Sequence, residues 1–258
     1  MIGCIIQARM GSTRLPGKVL KNIEKNKTVL YFVIKQLQEC ELIDKFVVAT
    51  TNLEEDNKIV EYSKKLGIEC FRGDSKNVLK RHYECAKKFS MSTIVRIPSD
   101  KPLIDPTIVD ENIKFFNENS CDYVTNFLSK STFPSGTEVE VFSYNALEIA
   151  YKNAKLPSEK EHVTDYFSNN ENKFKIKHIE NSENLSNLRY AVDRPKDLEL
   201  VRIIVSKIQR RPIFMGDIVD LLKKEPELMK INEDVDRKEG EKKSLKEDKE
   251  FISRKKNV

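Results

Sequence analysis

Short apolar runs alternate with stretches of helical spacing through the first half of the chain, and no other feature restricts the fold as much. Residues 2–6 are too few for a helix and rich in β-branched side chains, which predicts a buried first strand. Residues 28–40 carry Val29, Phe32, Val33 and Leu37 near helical spacing, and KFVVATT (45–51) returns to a strand. The rhythm continues with a helix over 54–66, a strand at IECFRG (68–73), a helix over 78–89, a strand at TIVRIP (93–98), a helix over 106–117 and a strand at DYVTNF (122–127). Such alternation predicts an α/β fold, a mostly parallel sheet flanked by helices. Ligands of such sheets sit outside the carboxyl ends of the strands.

From about residue 128 the rhythm changes. TFPSGTEVEVFSY (132–144) predicts a turn and a strand with Glu138 and Glu140 on one face, followed by helices near 145–153 and 159–169 and a strand at FKIKHIE (174–180). In NLRYAVDRPKDLELVRIIV (187–205) a further strand is expected to deliver Asp193 to the start of a helix. Residues 128–188 therefore read as an inserted flap or dimerisation arm, with the main sheet resuming near Leu188. The domain is expected to span 1–231. Residues 232–258 hold nine basic and eight acidic side chains and few apolar ones, which predicts a disordered or frayed helical tail.

The first strand opens into GCIIQARMGSTRLPGKVL (3–20), where Arg9, Arg14 and Lys18 crowd three cations into ten residues. Gly11 and Gly17 permit backbone angles that a Cβ would forbid, and Pro16 stiffens the turn. Exposed amides beside Arg forks suit phosphate oxygens, so a polyphosphate is one reading; a solvated basic loop with Gly-Pro turn chemistry is the other. A Walker A loop is excluded, because five residues separate Gly11 from Gly17 and Val19 follows Lys18, and there is no G-x-G-x-x-G dinucleotide fingerprint. The net charge of +5 over 258 residues is too balanced to argue for nucleic acid. Five scattered cysteines form no C-x-x-C pair, and no run approaches the roughly 18 apolar residues of a membrane span, so a soluble cytoplasmic protein with reduced thiols is expected.

Two acids follow strands and precede prolines. Asp100 in RIPSDKPLID (96–105) sits at the ligand end of a buried strand, where it could hold a hard cation with substrate phosphates, or could cap the turn before Pro102. Asp193 could be a second ligand or a plain helix N-cap with Pro195 in the first turn. Two such aspartates and a basic loop at a third strand end make a metal-assisted phosphoryl or nucleotidyl transfer site a coherent reading. Of the three histidines, only His162, in EKEHVTDYF (159–167), keeps company with polar groups suited to a ligand.

The loop IIQARMGSTRLPGKVL closely resembles the opening of cytidylyltransferases of the spore-coat-polysaccharide-biosynthesis type, relatives of the acylneuraminate and 3-deoxy-manno-octulosonate cytidylyltransferases. VATT, FRGDSKNVLKRHYECA, IVRIPSDKPLIDP, DYVTN, GTEVEVFS, EKEHVTDYF and LRYAVDRPKDLELV follow in that family's order, so the resemblance covers about residues 2 to 225. It implies a Rossmann-like nucleotide-sugar transferase sheet and Mg²⁺-dependent transfer of CMP from CTP to an acid sugar or related small anionic acceptor, with release of pyrophosphate. By position, Ala8, Arg9, Gly11, Ser12 and Arg96 would line the nucleotide, Arg14 and Lys18 would bind the triphosphate, and Asp100 and Asp193 would hold magnesium. Glu138, Glu140 and His162 would belong to the acceptor side, and a homodimer is implied. Ser99 and Lys101 around the first acid, and Thr137 before Glu138, depart from the family's usual residues. Rival readings are a transferase of other base or sugar preference on the same scaffold, and a binding protein that has lost activity.

Overall fold

The computed structural model describes residues 1–127, 131–235 and 239–256. β1 (Ile2–Gln7) leads to a small hairpin of β2 (Asn22–Glu24) and β3 (Lys27–Thr28), then α1 (Val29–Leu37), β4 (Lys45–Thr51), α2 (Asn57–Lys65), β5 (Glu69–Gly73), α3 (Val78–Lys88), β6 (Thr93–Pro98), α4 (Pro106–Glu118) and β7 (Tyr123–Thr125). Apart from the β2–β3 hairpin, which was not expected, these match the expected elements to within a few residues at their ends. Caps explain several starts: the Thr28 hydroxyl accepts from Tyr31 N at 3.2 Å, and the Asn77 side chain accepts from Lys80 N at 2.8 Å. Pro106 stands at the start of α4, behind the Asp105 carboxylate that caps it.

The second half adds β8 (Glu140–Ser143), α5 (Tyr144–Asn153), α6 (Pro157–His162), α7 (Asp165–Ser168), β9 (Ile176–His178), α8 (Pro195–Lys207), α9 (Met215–Lys224) and α10 (Glu239–Lys256). Seven strands form one sheet in the order β5-β4-β1-β6-β8-β7-β9, and every pairing is parallel except those of β8. Side chains of β1 alternate between two cores. Cys4 and Ile6 pack with Val33 of α1, Ile59 of α2 and Ile113 of α4, while Ile5 packs with Leu79 of α3 and Leu147 of α5. Burial on both faces is why β1, β4 and β6 read as unbroken apolar runs. A third cluster joins α8 and α9 to α1 and the β2–β3 hairpin.

Three expectations need correction. The region 128–188 does not stand apart as a flap or arm, because β8 pairs with both β6 and β7, and β9 pairs with β7 at the sheet edge; residues 128–130 of that stretch lie outside the described residues. The segment expected to resume the sheet near Leu188 is extended but not a sheet strand: it makes an isolated bridge between Arg189 and Ser135 and a bond from Val192 N to Asp100 O of 2.7 Å. Gly136, at φ +120°, makes that close passage, since a Cβ there would lie 2.7 Å from the Tyr190 ring. Lastly, of the two readings of the 232–258 tail it is the helical one that applies to most of it, as α10, and the correction is that this helix lies against α6. Polar contacts anchor it: Asp248, buried, accepts from Ser158 N at 3.0 Å, and Ser244 Oγ lies 2.6 Å from His162 Nε2. A hydrophobicity argument is blind to contacts of that kind. Residues 236–238, 257 and 258 lie outside the described residues.

Val163, between α6 and α7, has φ +65° and ψ −57°, closed by a 2.6 Å bond from Thr164 N to His162 O. A β-branched residue in this tight γ-turn is strained.

Candidate active site

The carboxyl ends of β1, β4 and β6 share one edge of the sheet, and the loop after β1 folds over it. Met10 O accepts from Ser12 N at 2.8 Å and from Gly17 N at 3.0 Å, which closes the loop on itself; Gly17, at φ +65°, makes the turn before Lys18. Asp56, fully buried, anchors the loop to β4 by accepting from Met10 N at 2.7 Å and from Thr51 N at 3.1 Å. The cleft so formed is lined by Gln7, Arg9, Gly11 to Arg14, Lys18, Val19 and Pro98 to Asp100.

Lys18 stands where the two acids meet. Its Nζ donates to Asp193 Oδ1 at 2.8 Å, to Val192 O at 2.8 Å and to Asp100 Oδ2 at 3.1 Å, so the carboxylates of two residues 93 positions apart face one nitrogen. Burial opposes the ammonium charge, but Asp100 and Asp193 outweigh it and raise the pKa of Lys18 above its ordinary value. Asp193 also meets Arg14 at 3.0 Å and Arg189 at 2.9 Å. Burial alone would raise its pKa; Lys18, Arg14 and Arg189 instead bring it down to about 2. Asp193 is not the plain helix cap of the simpler reading. The oxygen that accepts from Asp193 N and Arg194 N, at 2.9 Å each, belongs to Asp197.

The other expected residues divide into those at the cleft and those behind it. Arg9, Gly11 and Ser12 line it, and Arg9 pairs with Glu161 of α6 at 2.8 Å. Ala8 is buried at the end of β1, its N–H bonded to Ala49 O at 3.2 Å. Arg96 does not line the cleft: it is 8% exposed and donates to Glu140 behind it and to Gln7 Oε1 at 3.1 Å. Glu140, 2% exposed, also accepts from Tyr123 Oη at 3.0 Å and from the Thr164 hydroxyl. Burial would raise the Glu140 pKa, but Arg96, the Thr164 hydroxyl and the charge of Lys101 hold it below the ordinary value. Because β8 runs against its neighbours it begins where they end, which brings Glu140 beside Arg96.

Glu138 lies just before β8 and accepts from Gly136 N at 2.8 Å. Lys101 turns to Glu138, donating to its carbonyl at 2.7 Å, and Thr137 turns inward to Pro134 O at 2.8 Å. His162 is half-buried against Ser244 of α10. Sequence reasoning passed over Gln7, Asp56, Glu161, Arg189 and Asp197. Each acts through a partner at least 4 positions away, and only the spacing of Asp197 two residues after Pro195 offered a signal, as an acid in a first helical turn.

Two carboxylates aimed at one cationic position, with the rest of the shell left to phosphates and water, form a donor set that suits Mg²⁺. The Lys18 ammonium already holds that place, so it is built for positive charge.

A parallel sheet with a basic loop and paired acids at its carboxyl edge defines a nucleotide-handling α/β enzyme of the nucleotidyltransferase class. The chain belongs to the cytidylyltransferase family, whose model matches residues 3–234. Over 236 residues it is 37% identical to an uncharacterized protein of Methanocaldococcus jannaschii, covering 91% of this chain and 95% of that one. It is 31% identical to the spore coat polysaccharide biosynthesis protein SpsF of Bacillus subtilis over 86% of this chain and 94% of the relative. A solved cytidylyltransferase from Leptospira borgpetersenii superposes with a TM-score of 0.85 at 33% identity, covering 88% of this chain and 96% of its own. No helix among the described residues is long and apolar enough to cross a membrane.

Proposed function

We propose that the chain transfers CMP from CTP to a small anionic acceptor of the acid-sugar type, with Mg²⁺ and release of pyrophosphate, in the making of a surface glycan or glycoconjugate. The observation that carries this reading is the convergence of Asp100 and Asp193 on Lys18, with Arg14 beside them, at the mouth of the parallel sheet. The similarity to a spore coat polysaccharide biosynthesis protein favours the glycan setting.

In this reading Arg14 and Lys18 grip the triphosphate with charge-assisted hydrogen bonds, and Asp100 with Asp193 would hold the magnesium. Bound there, magnesium supplies charge neutralisation at the phosphate oxygens. Arg189 holds the Asp193 carboxylate, Asp197 holds the Asp193 backbone N–H, and Asp56 fixes the loop, so that little reorganisation is left for the reaction itself. The acceptor hydroxyl attacks the α-phosphate in line with departing pyrophosphate, and positioning carries most of the rate. Glu138, Glu140 and His162 belong to the acceptor side, with Glu140 acting from beneath the surface. The family resemblance also implies a homodimer.

A matrix of CTP, UTP, GTP and ATP against nonulosonic acids, octulosonic acids, sugar phosphates and phosphonates, read by pyrophosphate release and product mass, tests the reading. A CMP ester formed only with CTP is expected. Turnover with another nucleotide in preference to CTP, or none with any pair, would overturn it.

A further inference from the structure

Arg81 of α3 is fully buried, yet no carboxylate bonds it. Its Nη1 donates to Asp74 O at 2.6 Å, while Nε and Nη2 have no hydrogen-bond partner among the described residues. Guanidinium donors left unpaired out of water are costly. Burial, and after it the charge of Arg9, brings the Arg81 pKa down to about 10 against the pull of Glu161, Asp56 and Asp74. The stem of Arg81 is fixed, because Gly73 packs so closely on it that a Cβ there would lie 2.9 Å from Arg81 Cγ.

Of those three acids, two are already engaged. The Asp56 carboxylate accepts from Met10 N, Thr51 N and the Thr51 hydroxyl. That of Asp74 accepts from Lys76 N and Asn77 N at 2.9 Å each and meets Lys80 at 3.5 Å. Glu161 is different. It stands on α6, which packs against α3, and among the described residues its carboxylate has one partner, Arg9 at 2.8 Å, a side chain that lines the cleft.

We infer that Arg81 is the second partner of Glu161: when an anion in the cleft takes Arg9, Glu161 turns from Arg9 to Arg81. The inference rests on the reading that the cleft takes a magnesium nucleotide. At rest the protein holds one ion pair, Arg9 with Glu161, and one buried cation without a counter-charge. After the exchange both cations are paired, and the nucleotide has drawn Arg9 to itself without leaving Glu161 bare. Nucleotide affinity then includes what is gained at Arg81, a side chain that never touches the ligand. Arg81 is thus a positioning residue that acts through Glu161 on Arg9.

The test is a double-mutant cycle on the full chain. The parent, Arg81→Met, Glu161→Gln and the double variant are each titrated with CTP and magnesium by calorimetry and each melted without ligand. Methionine keeps most of the stem without charge or donors, and glutamine keeps the shape of Glu161 without its charge. Arg81→Met is expected to weaken CTP at least about 10-fold in the parent background and less than about 3-fold in the Glu161→Gln background, the scale of one charge-assisted bond. Without ligand, Arg81→Met should change the melting temperature equally in both backgrounds, since the new pair forms only with the cleft filled. A loss of CTP affinity equal in both backgrounds, no loss in either, or the same coupling in the unliganded melts would overturn the role of Arg81 and leave the cytidylyl transfer reading intact. A parent that binds no CTP would overturn both. If Arg81→Met does not fold, a crystal structure of the parent with CTP and magnesium decides. Arg9 on the triphosphate and a Glu161 oxygen within about 3.2 Å of Arg81 Nε or Nη2 is the expected result; Glu161 still on Arg9, or on any other partner, overturns the exchange.

Discussion

At the scale of single residues, Asp193 is the most heavily engaged group in the cleft. Its carboxylate meets Lys18, Arg14 and Arg189, whereas Asp100 meets Lys18 at the edge of the same cluster. Changing Asp193 to Asn leaves three cations facing one another, so it should lower the melting temperature by roughly 4–8 °C at neutral pH, the equivalent of about 2 kcal/mol. Asp100→Asn should cost less than half of that, although both should slow turnover by at least ~10²-fold. The pH dependence has a definite sign. Folding lowers the Asp193 pKa from 3.8 to about 2, so its contribution is complete above about pH 4 and fades as the pH falls toward 2. Melting curves of the parent and Asp193→Asn should therefore converge across that window; a gap that stays constant down to pH 2 would mean the carboxylate does not titrate with folding.

At the scale of elements, β1, β4 and β6 were legible because burial on both faces writes an apolar run, and α1, α3 and α4 because amphipathic spacing comes with a capping side chain. The places of β8 and β9 were not legible, since strand order is a long-range choice that leaves no local mark. The extended path of 188–193 read as a strand because its alternation is the same, yet it meets Ser135 and Asp100 rather than a sheet neighbour. In the cleft, Asp100, Asp193, Arg14 and Lys18 were singled out by residue type, and the structure brings the four side chains together. Gln7 could not be, as what sets it apart is the bond from Arg96 beneath it. Helix α10 shows the same limit, and it yields a prediction. Ending the chain after Val235 removes Asp248 from Ser158 and Ser244 from His162, so α6, which carries Glu161 to Arg9, loses its support on that side and keeps its packing against α3 and α7. The shortened protein should melt roughly 3–6 °C lower, the effect of about 1–2 kcal/mol, and its KM for the acceptor should rise more than its KM for CTP. Unchanged melting and kinetics would show that α10 rests on the surface without supporting it.

At the scale of the whole molecule, distant parts are tied together by single polar side chains. Gln36 of α1, 2% exposed, donates to Ile104 O at 3.0 Å and Ile213 O at 2.6 Å and accepts from Ile213 N at 2.9 Å, which couples the α8–α9 portion to the sheet. The net charge of +5 is spread over 46 basic and 41 acidic residues, so no broad field draws a polyanion in. The ammonium of Lys18 between Asp100 and Asp193 means that the resting cleft carries its own counter-ion. Loading it with a metal–triphosphate complex is then an exchange of partners: one cation is relieved of two carboxylates and becomes available to phosphate, while another takes up its former position. Such an exchange leaves the local charge nearly balanced throughout, so CTP affinity with magnesium should change little between about 50 and 200 mM salt, a range over which exposed ion pairs are heavily screened. CTP offered without magnesium must compete with the acids for the same ammonium and should bind far more weakly and fade quickly as salt is added. Equal salt sensitivity in the two titrations would mean that Lys18 never leaves its acids, and that the cleft accepts its ligand without giving up the ion it already holds.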